Sequence, residues 1–284
     1  MHILVTNDDG VTAPGLLALA QAMREIATVS ILAPDRNWSG GGHVKTIDRP
    51  LRIKDVILSD GSQAYASDGA PSDCVALALL GFIAEKIDLV VSGINPMANL
   101  GHDVTYSGTV TAAMESVIWG VPAVAFSLNT NESHLGAIDY TQSATYASYV
   151  TQTVMKHRIP AGILLNVNIP YQPGSEIKGF KTTRQGTRVY RDRLDHRIDP
   201  RGRSYYWIGG DAPTGLPHNG TDIGALEAGY VSVTPLQLDL TAYPALHLIN
   251  TWEWATDTSA EPDETNQAIH IVGETNSIPI ITPS

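Results

Sequence analysis

The sequence predicts an α/β protein built on a parallel β-sheet. Short, unbroken apolar runs such as Ile3-Leu4-Val5 and Leu89-Val90-Val91 have the character of strands buried on both faces. They alternate with segments whose apolar residues recur at helical spacing, as Leu16, Leu19, Ala20 and Met23 do. The chain has 284 residues and 43% apolar content, enough for one large domain or a domain with an appendage. Alternation of this kind implies parallel strands joined by right-handed crossovers.

Each element has its own signal. A first strand, His2 to Thr6, runs into Asn7-Asp8-Asp9-Gly10, and a helix follows from Gly15 to Met23. A second strand, Val29 to Leu32, ends at Ala33-Pro34-Asp35. Pro71-Ser72-Asp73 suits a first helical turn and opens a helix from Cys74 to Leu80. Asp88 to Val91 is a third strand, Thr109 to Trp119 a helix, and Ala123 to Phe126 a fourth strand. Tyr140 to His157 is an outer helix and Ile163 to Ile169 a further strand, closed by Pro170 and Pro173. Residues 178–243 hold aromatic, β-branched runs split by Gly and Pro, which predict antiparallel excursions from the main sheet. A projecting hairpin with an exposed aromatic edge suits a subunit interface. From Thr256 the chain is polar and acidic, with the composition of a flexible linker, and then runs into the strand-like AIHIVG and IPIITP.

The bulk composition excludes several functions. A net charge of −11 argues against wrapping nucleic acid or docking on anionic lipid. The single cysteine, Cys74, sits in an apolar run and reads as a buried core residue, so no disulfide framework forms within the chain. A strand begins at once, without a basic and apolar leader, and no apolar stretch reaches the roughly 20 residues of a membrane span. A reducing cytoplasm is the expected location.

The informative feature is the adjacent pair Asp8 and Asp9. Open α/β sheets bind ligands at the carboxyl ends of their strands. Two acids held there repel each other, and a divalent cation would relieve the repulsion. The competing reading is a capping turn in which Asn7 or Asp8 caps the helix near Ala13. Other strand ends and helix starts carry matching chemistry: Ser39-Gly40-Gly41-Gly42 after the second strand, Asn95 and Asn99 after the third, and Ser107-Gly108-Thr109 before a helix. Carboxylate, amide and hydroxyl oxygens favour Mg²⁺ or Mn²⁺ over zinc. The glycine run and the Ser-Gly-Thr helix start offer backbone N–H groups to a phosphate. Taken singly, these are ordinary loops, caps and turns; their joint placement points to phosphoester chemistry.

At this level of detail the chain resembles the SurE family of 5′-nucleotidases. The matching strings include ILVTNDDG at 3–10, APDRNWSG at 33–40, SDGAPSDCV at 67–75, DLVVSGIN at 88–95, ANLGHDVTYSGTVTAAMES at 98–116, LNVNIP at 165–170, DPRGRSYYWIGG at 199–210 and TDIGALEAGYVSVTPLQLDLTAY at 221–243. The resemblance implies a Rossmann-like, three-layer core over about residues 1–175, hairpin and oligomerisation excursions over about 176–245, and an extension from 246 to 284. It implies hydrolysis of nucleoside monophosphates, with some members acting on other phosphoesters or polyphosphate, and assembly into homodimers or homotetramers. One divalent cation per subunit is implied, held by Asp8, Asp9, Ser39 and Asn95. The chain departs from the family pattern at Met97, where a glycine is usual, with Pro96 before it. Trp38, beside Ser39, is bulky for a residue next to a metal ligand and suits stacking on a base or shielding the site.

In the mechanism this implies, a metal-activated water attacks phosphorus in line. Asn7 orients water or phosphate beside Asp8 and Asp9. Gly40, Gly41, Asn99, Ser107, Gly108 and Thr109 hold the phosphate oxygens. His43 and His102 lie near the right loops, but neither is assigned as leaving-group acid. The rival readings are an aspartyl-phosphate phosphatase, a nucleotide- or polyphosphate-binding regulator without turnover, and a dinucleotide oxidoreductase. The last lacks a G-x-G-x-x-G after its first strand.

Overall fold

The computed structural model describes residues 1–130, 134–172, 176–252 and 254. Its elements, in chain order, are β1 (His2–Thr6), α1 (Pro14–Arg24), β2 (Thr28–Pro34), β3 (Ile53–Ile57), β4 (Gln63–Ser67), α2 (Pro71–Leu77), β5 (Leu89–Asn95), α3 (Gly108–Ile118), β6 (Ala123–Asn129), α4 (Thr141–His157), β7 (Ile163–Pro170), β8 (Phe180–Thr182), β9 (Arg188–Ile198), β10 (Ser204–Gly215), α5 (Asp222–Glu227), β11 (Val231–Gln237) and α6 (Tyr243–Asn250). A π turn, Ala78–Phe82, follows α2, and a 3₁₀ turn, Gly101–Thr105, precedes α3.

A nine-stranded sheet has the order β3-β4-β2-β1-β5-β6-β7-β11-β8. From β4 to β7 every neighbouring pair is parallel. Alternation along the strands produces three layers. Ile3 and Val5, Leu89 and Val91, and Val124 and Phe126 pack with α1 and α4 on one face. Leu4, Val90, Ala123 and Ala125 pack with Cys74, Val75, Val110 and Ala113 of α2 and α3 on the other. This is the expected α/β, Rossmann-like core, and Cys74 is buried in it as expected.

The chain leaves β1 for β2 on one side and returns to β5 on the other. The crevice between β1 and β5 is therefore the point where strand order reverses, the usual ligand position in such sheets. Helix α1 lies hard against the end of β5: a Cβ on Gly15 would stand 2.2 Å from the Ile94 carbonyl oxygen and 3.0 Å from the Tyr140 ring.

The structure corrects several expectations. Strands β3 and β4 were not anticipated; β3 pairs antiparallel with β4 at the sheet's edge. Of the segments expected to leave the sheet, only β9 and β10 form a separate antiparallel hairpin. The others complete the main sheet: β11 pairs antiparallel with β7, and β8 pairs parallel with β11. Val231, Ser232, Thr234 and Leu236 of β11 are buried, which explains why the segment stays in the sheet. Helices α5 and α6 were not anticipated.

The chain divides into two units, Met1–Asp239 and Leu240–Ser284. In the second, α6 is followed by the rings of Trp252 and Trp254, 5.7 Å apart. The acidic linker and the strand-like AIHIVG and IPIITP lie outside the described residues. Among the described residues, no helix is long and apolar enough to cross a membrane.

The close approach at Gly15 predicts that G15A destabilises the fold by about 1–3 kcal/mol, because backbone cannot move aside as a flexible side chain can. Urea denaturation checks this; an unchanged midpoint would contradict the packing described.

Candidate active site

Strand β1 is buried along its length and is followed by Asn7, itself fully buried. The Asn7 amide donates to the Gly10 carbonyl at 3.0 Å and its oxygen accepts from the Gly10 N–H at 3.2 Å. Both ends of the side chain thus close the turn. Asn7, expected to orient water or phosphate, shapes through these bonds the loop that carries the two acids. The capping alternative also fails, since α1 is preceded by Ala13 with no side-chain cap.

Asp8 is 3% exposed. Its carboxylate accepts a hydrogen bond from the Thr109 hydroxyl at 2.5 Å, and its carbonyl accepts from the Trp38 N–H at 2.8 Å. Burial pushes the Asp8 carboxyl above its ordinary range, against the Thr109 hydroxyl and the backbone amides of Gly108 and Thr109, which favour the charge. Gly108 permits this contact, because a Cβ there would stand 2.6 Å from the Asp8 Cβ. Half-buried Asp9 is pushed up to about 7 by burial and then by the Asp8 charge. Among the described residues, neither acid has a lysine, arginine or histidine within ion-pair distance. Tyr140, packed near Gly15, has its phenol pushed up to about 12 by burial and then by the Asp9 charge.

The remaining predicted donors lie on loops at the same end of the sheet. Ser39 is exposed, one residue beyond the Trp38 bond to Asp8, and its N–H donates to the Asn37 side chain at 2.6 Å. Gly40 and Gly41 follow, with a turn closed by the Gly41 N–H on the Trp38 carbonyl at 3.0 Å. Asn95 ends β5, next to β1, where Thr6 pairs with Ser92. Its amide nitrogen donates to the Met97 carbonyl at 2.5 Å, which orients the side chain. Among the described residues, no group of three or more His, Cys, Asp and Glu side chains could hold a metal ion. A cation in this crevice would rely on two carboxylates plus hydroxyl and amide oxygens.

The residues expected to hold phosphate divide into two sets. Gly40 and Gly41 stand in the open loop. Ser107 caps α3, accepting from the Val110 N–H at 3.1 Å. The buried Thr109 hydroxyl is committed to Asp8. Asn99 is also turned inward: its amide donates to Ser127 at 2.8 Å, its N–H to Asn168 at 2.8 Å, and its carbonyl accepts from Asn166 and Asn168. Asn99 and Thr109 therefore help to locate their loops. His102 is exposed on the 3₁₀ turn, and His43 bonds Glu115 at 2.8 Å.

Sequence reasoning missed the supports beneath these loops. Asp222 is fully buried and accepts from the N–H groups of Gly101 at 2.9 Å and Gly186 at 2.7 Å. Asn166 and Asn168 seat Asn99. Two asparagines alternating within an apolar strand, as in Leu165-Asn166-Val167-Asn168-Ile169, were the available signal, because buried amides require partners.

The raised Asp9 carboxyl has a signed consequence for stability. Between its ordinary value of 3.8 and about 7, the folded state holds the proton more tightly than the unfolded state. Stability of the metal-free protein therefore falls as pH rises through that interval. D9N, measured by urea denaturation in a chelator, should lose markedly less stability over the same range; parallel curves would contradict the assignment.

Comparison with known proteins supplies the remaining findings. The family model described as Survival protein SurE matches residues 3–192. A protein of Herpetosiphon aurantiacus named 5′-nucleotidase SurE is 49% identical over 254 residues, covering 89% of this chain and 99% of that protein. One of the same name from Chloroflexus aggregans is 48% identical, covering 89% and 100%. The crystal structure of the SurE protein from Aquifex aeolicus superposes with a TM-score of 0.74 at 41% identity, covering 88% of this chain and 98% of that one. The family model matches well over half of the chain and these relatives cover nearly nine-tenths of it, so the chain belongs to the SurE family.

Proposed function

We propose that this chain is a metal-dependent phosphomonoesterase that hydrolyses nucleoside 5′-monophosphates to nucleoside and phosphate. The observation that carries the reading is the acidic pair: Asp8 and Asp9 sit at the reversal point of the sheet, without a cationic partner among the described residues. Relatives covering nearly nine-tenths of the chain are named 5′-nucleotidases.

The donor set fits one hard divalent cation, Mg²⁺ or Mn²⁺, per subunit: two adjacent carboxylates, a hydroxyl and an amide oxygen. Asp8, Asp9, Ser39 and Asn95 would hold it. When bound, the cation supplies Lewis-acid polarisation of a phosphoryl oxygen and an acidified water. Thr109 keeps the Asp8 carboxylate aimed, and Asn7 keeps the Asp8-Asp9 turn closed. The backbone N–H groups of Gly40, Gly41 and the α3 start at Ser107-Gly108 stabilise the charge that builds on the phosphate. Water oxygen bonds to phosphorus as the bond to the nucleoside 5′-oxygen breaks. Trp38, with Arg36 4.8 Å over its ring, stands next to Ser39 in the chain and suits a base.

The protein is proposed to act in the cytoplasm as a homodimer or homotetramer, through a domain spanning residues 1–245 with an extension from 246 to 284. Tyr205, Tyr206, Trp207 and Ile208 are exposed on β10 and suit a subunit interface. Absence of turnover, with nucleotide or polyphosphate binding retained, is the second reading. It rests on Pro96-Met97, whose exposed Met97 occupies the loop beside Asn95.

Phosphate release from AMP and GMP with Mn²⁺ or Mg²⁺ separates the two. The wild-type chain should turn over. D8N and D9N should each lose about 100-fold or more with the circular dichroism spectrum unchanged, the size of removing one electrostatic element of such a site. Binding without phosphate release in the wild type would favour the second reading, and full activity in either variant would remove the acids from the mechanism.

A further inference from the structure

Helix α3 has the sequence GTVTAAMESVI, with Glu115 its only charged residue. The Glu115 side chain is 4% exposed. A carboxylate buried this far requires partners. It receives the His43 ring at 2.8 Å, the Trp119 indole N–H at 2.8 Å and the Lys45 ammonium at 3.4 Å. His43 and Lys45 come from the exit of the glycine-rich loop and are far more exposed, at 30% and 58%, so loop side chains reach in to a fixed acid.

Other bonds bind the same stretch to α2, α3 and the turn before α3. The Gly42 N–H donates to the Tyr106 carbonyl at 3.0 Å, and the Thr111 hydroxyl donates to the Gly42 carbonyl at 3.0 Å. The Ser72 hydroxyl donates to the Val44 carbonyl. The Thr46 N–H and hydroxyl donate to Asp73 at 2.9 and 2.6 Å. At its entry the loop is tied by the Trp38 N–H to the Asp8 carbonyl. Ser39, Gly40 and Gly41 span the interval between these two attachments. Glycines have no side chains with which to locate themselves and a large conformational entropy to lose. Their position must come from the ends.

We propose that Glu115 is a positioning residue for this loop: through His43 and Lys45 it fixes the loop exit at a set distance from Asp8, and so places Ser39, Gly40 and Gly41 for the phosphate. The distance is set within one helix. Thr109, which bonds Asp8, and Glu115, which bonds the loop, lie six residues apart on α3, about 9 Å along its axis. Burial alone would push the Glu115 carboxyl up; bonds from His43 and Trp119 and the Lys45 charge outweigh it and hold it down at about 2, so the anchor stays charged at neutral pH. The proposal rests on the phosphomonoesterase reading for its kinetic consequence, and its structural consequence stands apart from that reading.

The test pairs hydrogen exchange with kinetics on the full chain. In E115A, amides of residues 40–46 should exchange about tenfold faster or more, the size of one hydrogen bond to a charged group, while those of α1 stay at the wild-type rate. KM for AMP with Mn²⁺ should rise about tenfold, with kcat changed by less than about threefold. E115Q, which keeps neutral hydrogen bonds to the imidazole and indole, should fall between. If E115A does not fold, the double variant H43A/K45A, altered only at the exposed ends of the contacts, gives the same readings. Wild-type exchange over residues 40–46 in a folded variant overturns the proposal, as does a fall in kcat with KM unchanged. A wild-type chain that releases no phosphate defeats the functional reading alone, because the exchange measurement still decides the role of Glu115.

Discussion

The structure depends on holding two adjacent carboxylates at the end of a buried strand. Strand β1 lies inside the sheet with neighbours on both sides, so Asp8 has little access to water. Taking a carboxylate out of water costs several kcal/mol even after the protein relaxes. The first turn of a helix returns about 0.3–1 kcal/mol, and up to about 2 where partly buried. Helix α3 and the Thr109 hydroxyl therefore offset only part of the cost, which is why the Asp8 carboxyl stays above its ordinary range. Asp9 adds repulsion. A pair left without a cationic partner among the described residues is what the proposed hard cation would answer.

Much of the surrounding architecture serves that pair. Asn7 closes the turn, Gly108 lets α3 approach Asp8, and Gly15 lets α1 approach the end of β5. The loop after β5 is seated from below, with Asn99 joined to Ser127, Asn166 and Asn168 on two further strands. The 3₁₀ turn beyond it is held by Asp222. These groups are buried and polar and are joined to one another, although the Asn166 side-chain oxygen has no hydrogen-bond partner among the described residues. A network of that kind rigidifies what it holds. The loops of the crevice are thus positioned from within the sheet, and the exposed glycine segment is the part that depends on side chains reaching across from α2 and α3.

The central elements were legible because their patterns are strong. Ile3-Leu4-Val5 and Leu89-Val90-Val91 have no polar residue to suggest an exposed face, and α1 and α3 show apolar residues at helical spacing. Strands β3 and β4 were not legible. Ile53–Ile57 carries Lys54 and Asp55 on an edge, where one face meets water and the apolar signal is diluted. Within residues 178–243 the strand character was correct for β8, β9, β10 and β11, but composition does not say which partner a strand takes. The destination of β11 was decided by its burial against β7.

At the crevice, the sequence by itself determined the residue types and their attachment to strand ends and helix starts. Both are local properties, read from apolar runs and from Asp, Asn, Ser and Gly beside them. Only the tertiary structure decided what each side chain does with its hydrogen bonds. Asn7, Asn99 and Thr109 have the chemistry of ligand contacts, yet their side chains bond Gly10, Ser127 and Asp8. Nothing in the sequence marks Glu115, yet it joins a loop about 70 residues earlier in the chain. A hydrogen-bonding group accepts whichever partner the fold brings within about 3 Å, and that proximity is a property of packing between distant segments.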